Sequence, residues 1–117
     1  MTTDTITAAT ALTTILDVVD HVVAWLDAGT EPDDSEVTLR LLKISEEIGE
    51  AAEAWIGATG QNPRKGITHT RTDVADELAD VVFAALVAMV SLGEDPTERL
   101  GEKAHQLMTR VNRRSSI

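Results

Sequence analysis

The sequence has no cysteine and no tyrosine, one phenylalanine and two tryptophans in 117 residues. Without cysteine there is neither a disulfide framework nor a thiolate metal site, so stability rests on packing and a reducing compartment suits the chain. With so few aromatics the core is drawn from Ala, Leu, Val and Ile, which serve packed helices better than a β-sandwich. Long apolar runs are also missing. The longest, residues 81–90, is about half of the roughly 20 residues that a bilayer crossing needs. Residues 1–11 lack the basic n-region and apolar run of a secretory signal, so the expected location is the cytoplasm. Cations are scarce too: the formal net charge is −10, which repels nucleic acid phosphates and leaves neither nucleic acid nor membrane as an expected partner.

What is present is helical periodicity. One domain spans 1–117, with nothing in its composition marking a boundary. Ile6, Leu12, Ile15, Leu16, Val19, Val22, Val23 and Leu26 recur at spacings of three and four, which predicts a first helix over 5–28 with Gly29 as its stop. Asp34 or Ser35 is placed to cap a second helix over about 36–58. Residues 57–72 hold three glycines, Asn62-Pro63 and the basic pair Arg64-Lys65, the composition of a loop. A third helix starts near Thr72 or Asp73 and runs to Leu92, with Gly93 as its stop. Asp95 then caps a fourth, with Pro96 in its first turn and residues 113–117 frayed. The fold class is therefore all-α, a four-helix bundle. Residues 81–90 are apolar on every side and need cover all round. Three neighbours in so short a chain scarcely provide it, so a homo-oligomer is expected.

Charge is unevenly placed. Up to Glu98 the acids outnumber Lys plus Arg 19 to 5, whereas from Arg99 onward the bases lead 5 to 1. A basic last helix that complements an acidic body is one reading. The other is that Lys103, Arg110, Arg113 or Arg114 meets a phosphate.

Two rows of acids stand out. Glu46, Glu47, Glu50 and Glu53 neighbour one another on the second helix, and Asp73, Asp76, Glu77 and Asp80 do so on the third. Like charges at these spacings cost about 0.2–0.5 kcal/mol per pair on an exposed helix and more when desolvated. A solvated face is the ordinary account of such a row. Here, however, the acids interleave with Ile44, Ile48, Ala51 and Ala52, Asp80 runs straight into the apolar segment, and almost no Lys or Arg is interspersed. Unoffset carboxylates at a core edge are what a hard divalent cation requires, and magnesium shares its oxygen shell with substrate phosphates. Zinc is disfavoured, since there is no cysteine and the three histidines stand outside both rows.

Glu46-Glu47-x-x-Glu50 followed after a loop by Glu77-x-x-Asp80 resembles the EExxE…ExxD signature of the MazG-like all-α nucleotide pyrophosphohydrolases, which include dCTP pyrophosphatases, dimeric dUTPases and phosphoribosyl-ATP pyrophosphohydrolases. The resemblance is close over 38–89. It implies a magnesium-dependent enzyme, with manganese able to substitute, that splits a nucleoside triphosphate between its α and β phosphates into nucleoside monophosphate and pyrophosphate. It further implies that Glu47, Glu50, Glu77 and Asp80 hold the metal and that Glu46, with Glu47, is catalytic, Glu46 as a ligand or as the base orienting the water. Lys43, Lys103, Arg110 and Arg113 become expected phosphate contacts, and a homodimer or homotetramer the expected assembly. Trp55 is placed to stack on a base, as is Trp25, with core packing the competing reading for each. By analogy with short single-domain members, the role is house-cleaning of deoxynucleotides.

His21 reads as a core or boundary residue and His69 as an exposed one. Glu102-x-x-His105 is half of a di-iron bundle motif whose second copy is missing, which argues against that chemistry. A helical oligomer that binds magnesium or a nucleotide without turnover would carry the same ligands, and so differs from the enzyme only in releasing no pyrophosphate. A purely structural acidic bundle would gain no thermal stability from magnesium.

Overall fold

The computed structural model describes residues 7–115 as four helices: α1 (Ala8–Asp27), α2 (Asp34–Thr59), α3 (Arg71–Ser91) and α4 (Pro96–Ser115). No strand occurs among the described residues. The expected start of the first helix at Thr5 and Ile6 and the last two residues lie outside them. Residues 113–115, expected to fray, are helical.

Each helix begins where a side chain can satisfy an orphan amide. The Thr7 hydroxyl accepts from the Thr10 amide at 3.1 Å. Asp33, one residue before the expected caps, accepts from the Glu36 amide at 2.9 Å. Asp95 accepts from the Thr97 amide at 3.0 Å, next to a buried Pro96. At α3 the cap is Thr70, earlier than the periodicity suggested, because a reciprocal box forms: the Asp73 amide donates to the Thr70 hydroxyl at 3.1 Å, and the Thr70 amide donates to the Asp73 carboxylate at 2.8 Å. That bond from the Thr70 backbone holds the Asp73 pKa below its ordinary 3.8. A depressed carboxylate stabilises the fold above its unfolded pKa, and the benefit is lost as pH falls through the lower folded value. Thr70→Ala should cost about 1 kcal/mol, read as a midpoint lower by several degrees in thermal unfolding followed by circular dichroism.

The second and third helices form the main interface, α1 packs on α3, and α4 meets α3 only lightly. Small residues explain the tight pair: Glu47, Ala51, Ala54 and Gly57 are the buried positions of α2 beyond Arg40, a stripe at helical spacing that lets two backbones approach. Val19, Val23 and Leu86 form the core, with Ile15, Phe83, Val87 and Val90 packed against it. Arg40, 7% exposed, ties three helices together. One of its nitrogens, Nη1, reaches Asp27 of α1 at 2.7 Å and Ser91 of α3 at 2.8 Å. The first helix is long and apolar enough to cross a membrane by length and composition, contrary to the reading from apolar runs alone. It nevertheless carries Asp17 and Asp20 and contributes Val19 and Val23 to the core.

The fourth helix stands off this body. Every described side chain from 97 to 114 is exposed, including the stripe Leu100, Leu107, Met108 and Val111. The radius of gyration of 18.0 Å accordingly exceeds the roughly 13 Å of a compact chain this long. Within α3, Val82 is 55% exposed and Leu78 and Leu92 are similarly bare, so the described residues of this chain do not cover the apolar segment on every side.

Candidate metal and phosphate site

Helix periodicity puts Glu47 on the buried stripe of α2, and the opposing α3 brings Glu77 and Asp80 to it. One carboxylate oxygen from each of Glu47, Glu77 and Asp80 lies within 4.8 Å of the other two. Glu47 is buried, Glu77 half-buried and Asp80 exposed, so the cluster opens from the interface toward solvent. One Glu47 oxygen takes the Lys43 ammonium at 3.0 Å. The other, and one oxygen of Glu77, are buried with no hydrogen-bond partner. Buried acceptors without donors are costly, and a cation relieves both. Oxygen-only donors at this spacing fit a hard divalent ion with ligand distances of about 2.0–2.1 Å.

The acids expected to act together are thus only partly gathered. Glu50 is exposed, yet the charge of Glu47 raises its pKa above 4.5, and the charge of Glu77 adds to the effect, so it borders the cluster. Glu46 is exposed and sits 3.6 Å from Lys43. The hydrogen bond to Glu47, followed by the charge of Glu46, raises the Lys43 pKa, which keeps that ammonium protonated and engaged. Of the remaining acids in the two rows, Asp73 is used in the α3 cap and Glu53 lines the loop below.

A raised carboxylate pKa stabilises the fold below the unfolded value and loses that benefit as pH rises through the folded one. Metal-free protein should therefore lose stability as pH rises above 4.5 through the Glu50 titration. Glu50→Gln should flatten that part of a melting-temperature profile recorded with chelator, and an unaltered profile would refute the coupling.

Beside the cluster, a cavity of about 380 Å³ is walled by Val22, Leu26, Leu39, Phe83 and Val87, with Glu36, Arg40, Lys43, Glu47 and Asp80 as its polar groups. An apolar pocket with a few convergent polar groups suits a small organic ligand. Periodicity alone gave no sign of it, because it is shared by α1, α2 and α3. Arg40 was likewise missed, its lone charge in an apolar stretch of α2 being the one available signal.

The tryptophans are not core residues of this chain. Trp25 is 77% exposed, and Trp55 is partly exposed with the Arg71 guanidinium 5.1 Å from its ring centroid, a cation–π distance. His21 is exposed rather than core, its Nδ1 at 2.8 Å from the carbonyl of Asp17. His69 is half-buried, not simply exposed. It lies with Thr68 directly over Gly57, where a Cβ would collide with both side chains. Lys103 lines a shallow depression with Met89, at the far end of α3 from Asp80; nine helical residues span about 13 Å. Arg110 and Arg113 are exposed further along α4, so none of these three joins the acid cluster in this chain.

A family model described as phosphoribosyl-ATP pyrophosphohydrolase matches residues 25–106, which takes in all of α2 and α3 and stops short of Arg110 and Arg113. No curated protein and no solved structure matches.

Proposed function

The chain belongs to the phosphoribosyl-ATP pyrophosphohydrolase family, within the MazG-like nucleoside triphosphate pyrophosphohydrolase superfamily, and from that premise we propose that it is a magnesium-dependent enzyme cleaving nucleoside triphosphates between the α and β phosphates. The observation that carries this reading is the pair of partnerless buried carboxylate oxygens on Glu47 and Glu77, within a three-acid cluster beside an apolar cavity.

Glu47, Glu77 and Asp80 hold the ion, with Glu50 at its edge, and manganese substitutes for magnesium. When bound, a divalent ion supplies positive charge against phosphate oxygens and Lewis acidity toward water. The side chains do the rest. The apolar cavity takes the nucleoside, and Glu46 orients the attacking water and accepts its proton. The water oxygen bonds to the α phosphorus as the bridge to the β phosphorus breaks, so nucleoside monophosphate and pyrophosphate leave. Lys43, paired with Glu46 and Glu47, faces the same space. The setting is cytoplasmic, and house-cleaning of deoxynucleotides is the role.

Pyrophosphate release from a panel of ribo- and deoxynucleoside triphosphates, with magnesium and then with chelator, tests the proposal. Metal-dependent release supports it, and silence across the panel overturns it. The name of the matched family favours a second reading, in which the substrate is phosphoribosyl-ATP and the same bond is cleaved; that compound belongs in the panel.

A second copy of the chain completes the fold in this proposal, covering Leu78, Val82 and Leu92 of α3. Val82→Glu should then give monomers in sedimentation velocity where the parent chain sediments as a dimer or tetramer. Monomeric parent protein would contradict it.

A further inference from the structure

Residues 54–72 contain no acid, the longest such stretch in a chain of net charge −10, and hold Arg64, Lys65 and Arg71. These are three of the five cations that precede Arg99. The other two, Arg40 and Lys43, are committed to carboxylates. None of the three forms an ion pair among the described residues, and all three are exposed. An acidic protein would be expected to neutralise such a group with its own carboxylates. Here it collects them at one end of α2 and α3 and leaves them without carboxylate partners among the described residues.

The segment is also built, not slack. The Asn62 side chain accepts from the Arg64 amide at 3.1 Å, and the Asn62 carbonyl accepts from the amides of Lys65 and Gly66 at 3.1 and 3.0 Å. Gly66 has φ +67°, the left-handed conformation that suits glycine. The Thr68 amide donates to the Gly57 carbonyl at 2.9 Å, and the missing Cβ of Gly57 lets His69 and Thr68 lie on α2. Arg71 is held over Trp55. Between these anchors lies a cavity of about 230 Å³ lined by Asn62, Lys65, Thr68 and His69, with Glu53 as its one acid.

Position gives the group its meaning. Along α2 the order is apolar cavity at Leu39 to Lys43, then Glu47 of the acid cluster with Glu50 at its border, then this loop. Arg71 lies six positions before Glu77 and Gly57 seven positions after Glu50, so about 9–10 Å of helix axis lies between the acids and the loop. We propose that Arg64, Lys65 and Arg71 form a subsite for the distal phosphates of the substrate, the pair released as pyrophosphate, while the nucleoside occupies the apolar cavity on the other side of the acids. Trp55 on this account is a positioning residue that holds Arg71, and not a base-stacking platform. The inference rests on the pyrophosphohydrolase reading above.

The test is calorimetric titration of magnesium pyrophosphate into the full chain and into the variants Arg64→Ala/Lys65→Ala, Arg71→Ala and Arg99→Ala, each checked for helix content. Arg99 is tied up with Glu94, Glu98 and Glu102 on α4, so its variant controls for loss of charge alone. The loop variants should bind pyrophosphate at least tenfold more weakly than the parent and the control, with a matching rise in KM and little change in kcat. Trp55→Phe should retain the affinity that Trp55→Ala loses. Parent-like affinity in the loop variants, or an equal loss in the control, overturns the subsite. If nucleotides turn over and the loop variants are unaffected, only this inference falls. If nothing turns over, the enzyme reading falls, while the titration still reads the loop.

Discussion

Asp80→Asn or Glu77→Gln should reduce metal-dependent pyrophosphate release by at least about a hundredfold, the upper end of what loss of mere outer-shell support costs a metal site, and leave the fold standing. Three carboxylates share one 4.8 Å cluster, and each supplies one anionic oxygen. Making either one a neutral amide removes a charged donor and adds an N–H group that repels a cation. The same change relieves like-charge repulsion in metal-free protein, where Glu47 and Glu77 each have a buried oxygen with no donor. Melting temperature in chelator should therefore stay level or rise while turnover disappears, and manganese titration should show weakened binding. A variant that unfolds, or one that keeps full activity, would remove Glu77 and Asp80 from the site.

Arg40→Met should destabilise the chain by about 3 kcal/mol, in the range for breaking one side of a buried ion pair, a fall in melting temperature on the order of 10–20 °C. The guanidinium is 7% exposed and its Asp27 partner 19%. Asp27 is the last residue of α1, where the helix dipole already disfavours an acid, so without Arg40 it is left part-buried and repelled. Ser91 suffers less, because its hydroxyl also donates to the Val87 carbonyl at 2.6 Å. The double variant Arg40→Met/Asp27→Leu should recover most of the loss, since replacing both partners with apolar groups is often neutral or better. Failure of the second change to rescue the first would show that Arg40 acts through something other than this pair, its place in the wall of the apolar cavity being the alternative.

Local chemistry wrote much of this molecule into its sequence. Aliphatic spacing of three and four, Asp95-Pro96 and the glycine-rich stretch near Asn62 marked four helices and the loop between the second and third, because capping and periodicity act within a few residues. The errors at the ends were of one kind. Asp33 and Thr70 outcompeted the expected caps because a cap depends on which side chain reaches which amide, a question of geometry that residue type leaves open. The acidic rows pointed to a cation site for the same local reason: like charges three and four apart need an explanation wherever they lie.

Which of those acids meet was decided by packing. Glu47 faces α3 because Ala51 and Ala54 share its stripe and let the helices close, whereas Glu46 is exposed beside Lys43 and Asp73 serves as a cap. Trp25 and Trp55, readable as core from composition, are exposed, Trp55 with the Arg71 guanidinium over its ring. The cations of α4 looked suited to phosphate from charge alone, yet the turn after α3 carries them away from the acids, while Arg64, Lys65 and Arg71 lie one loop from the cluster. Helix identity is a sum of short-range terms that a string of residues contains. The meeting of carboxylates, cations and an apolar cavity depends on the angle and register at which helices pack, and those are set by side-chain volumes summed over the whole interface.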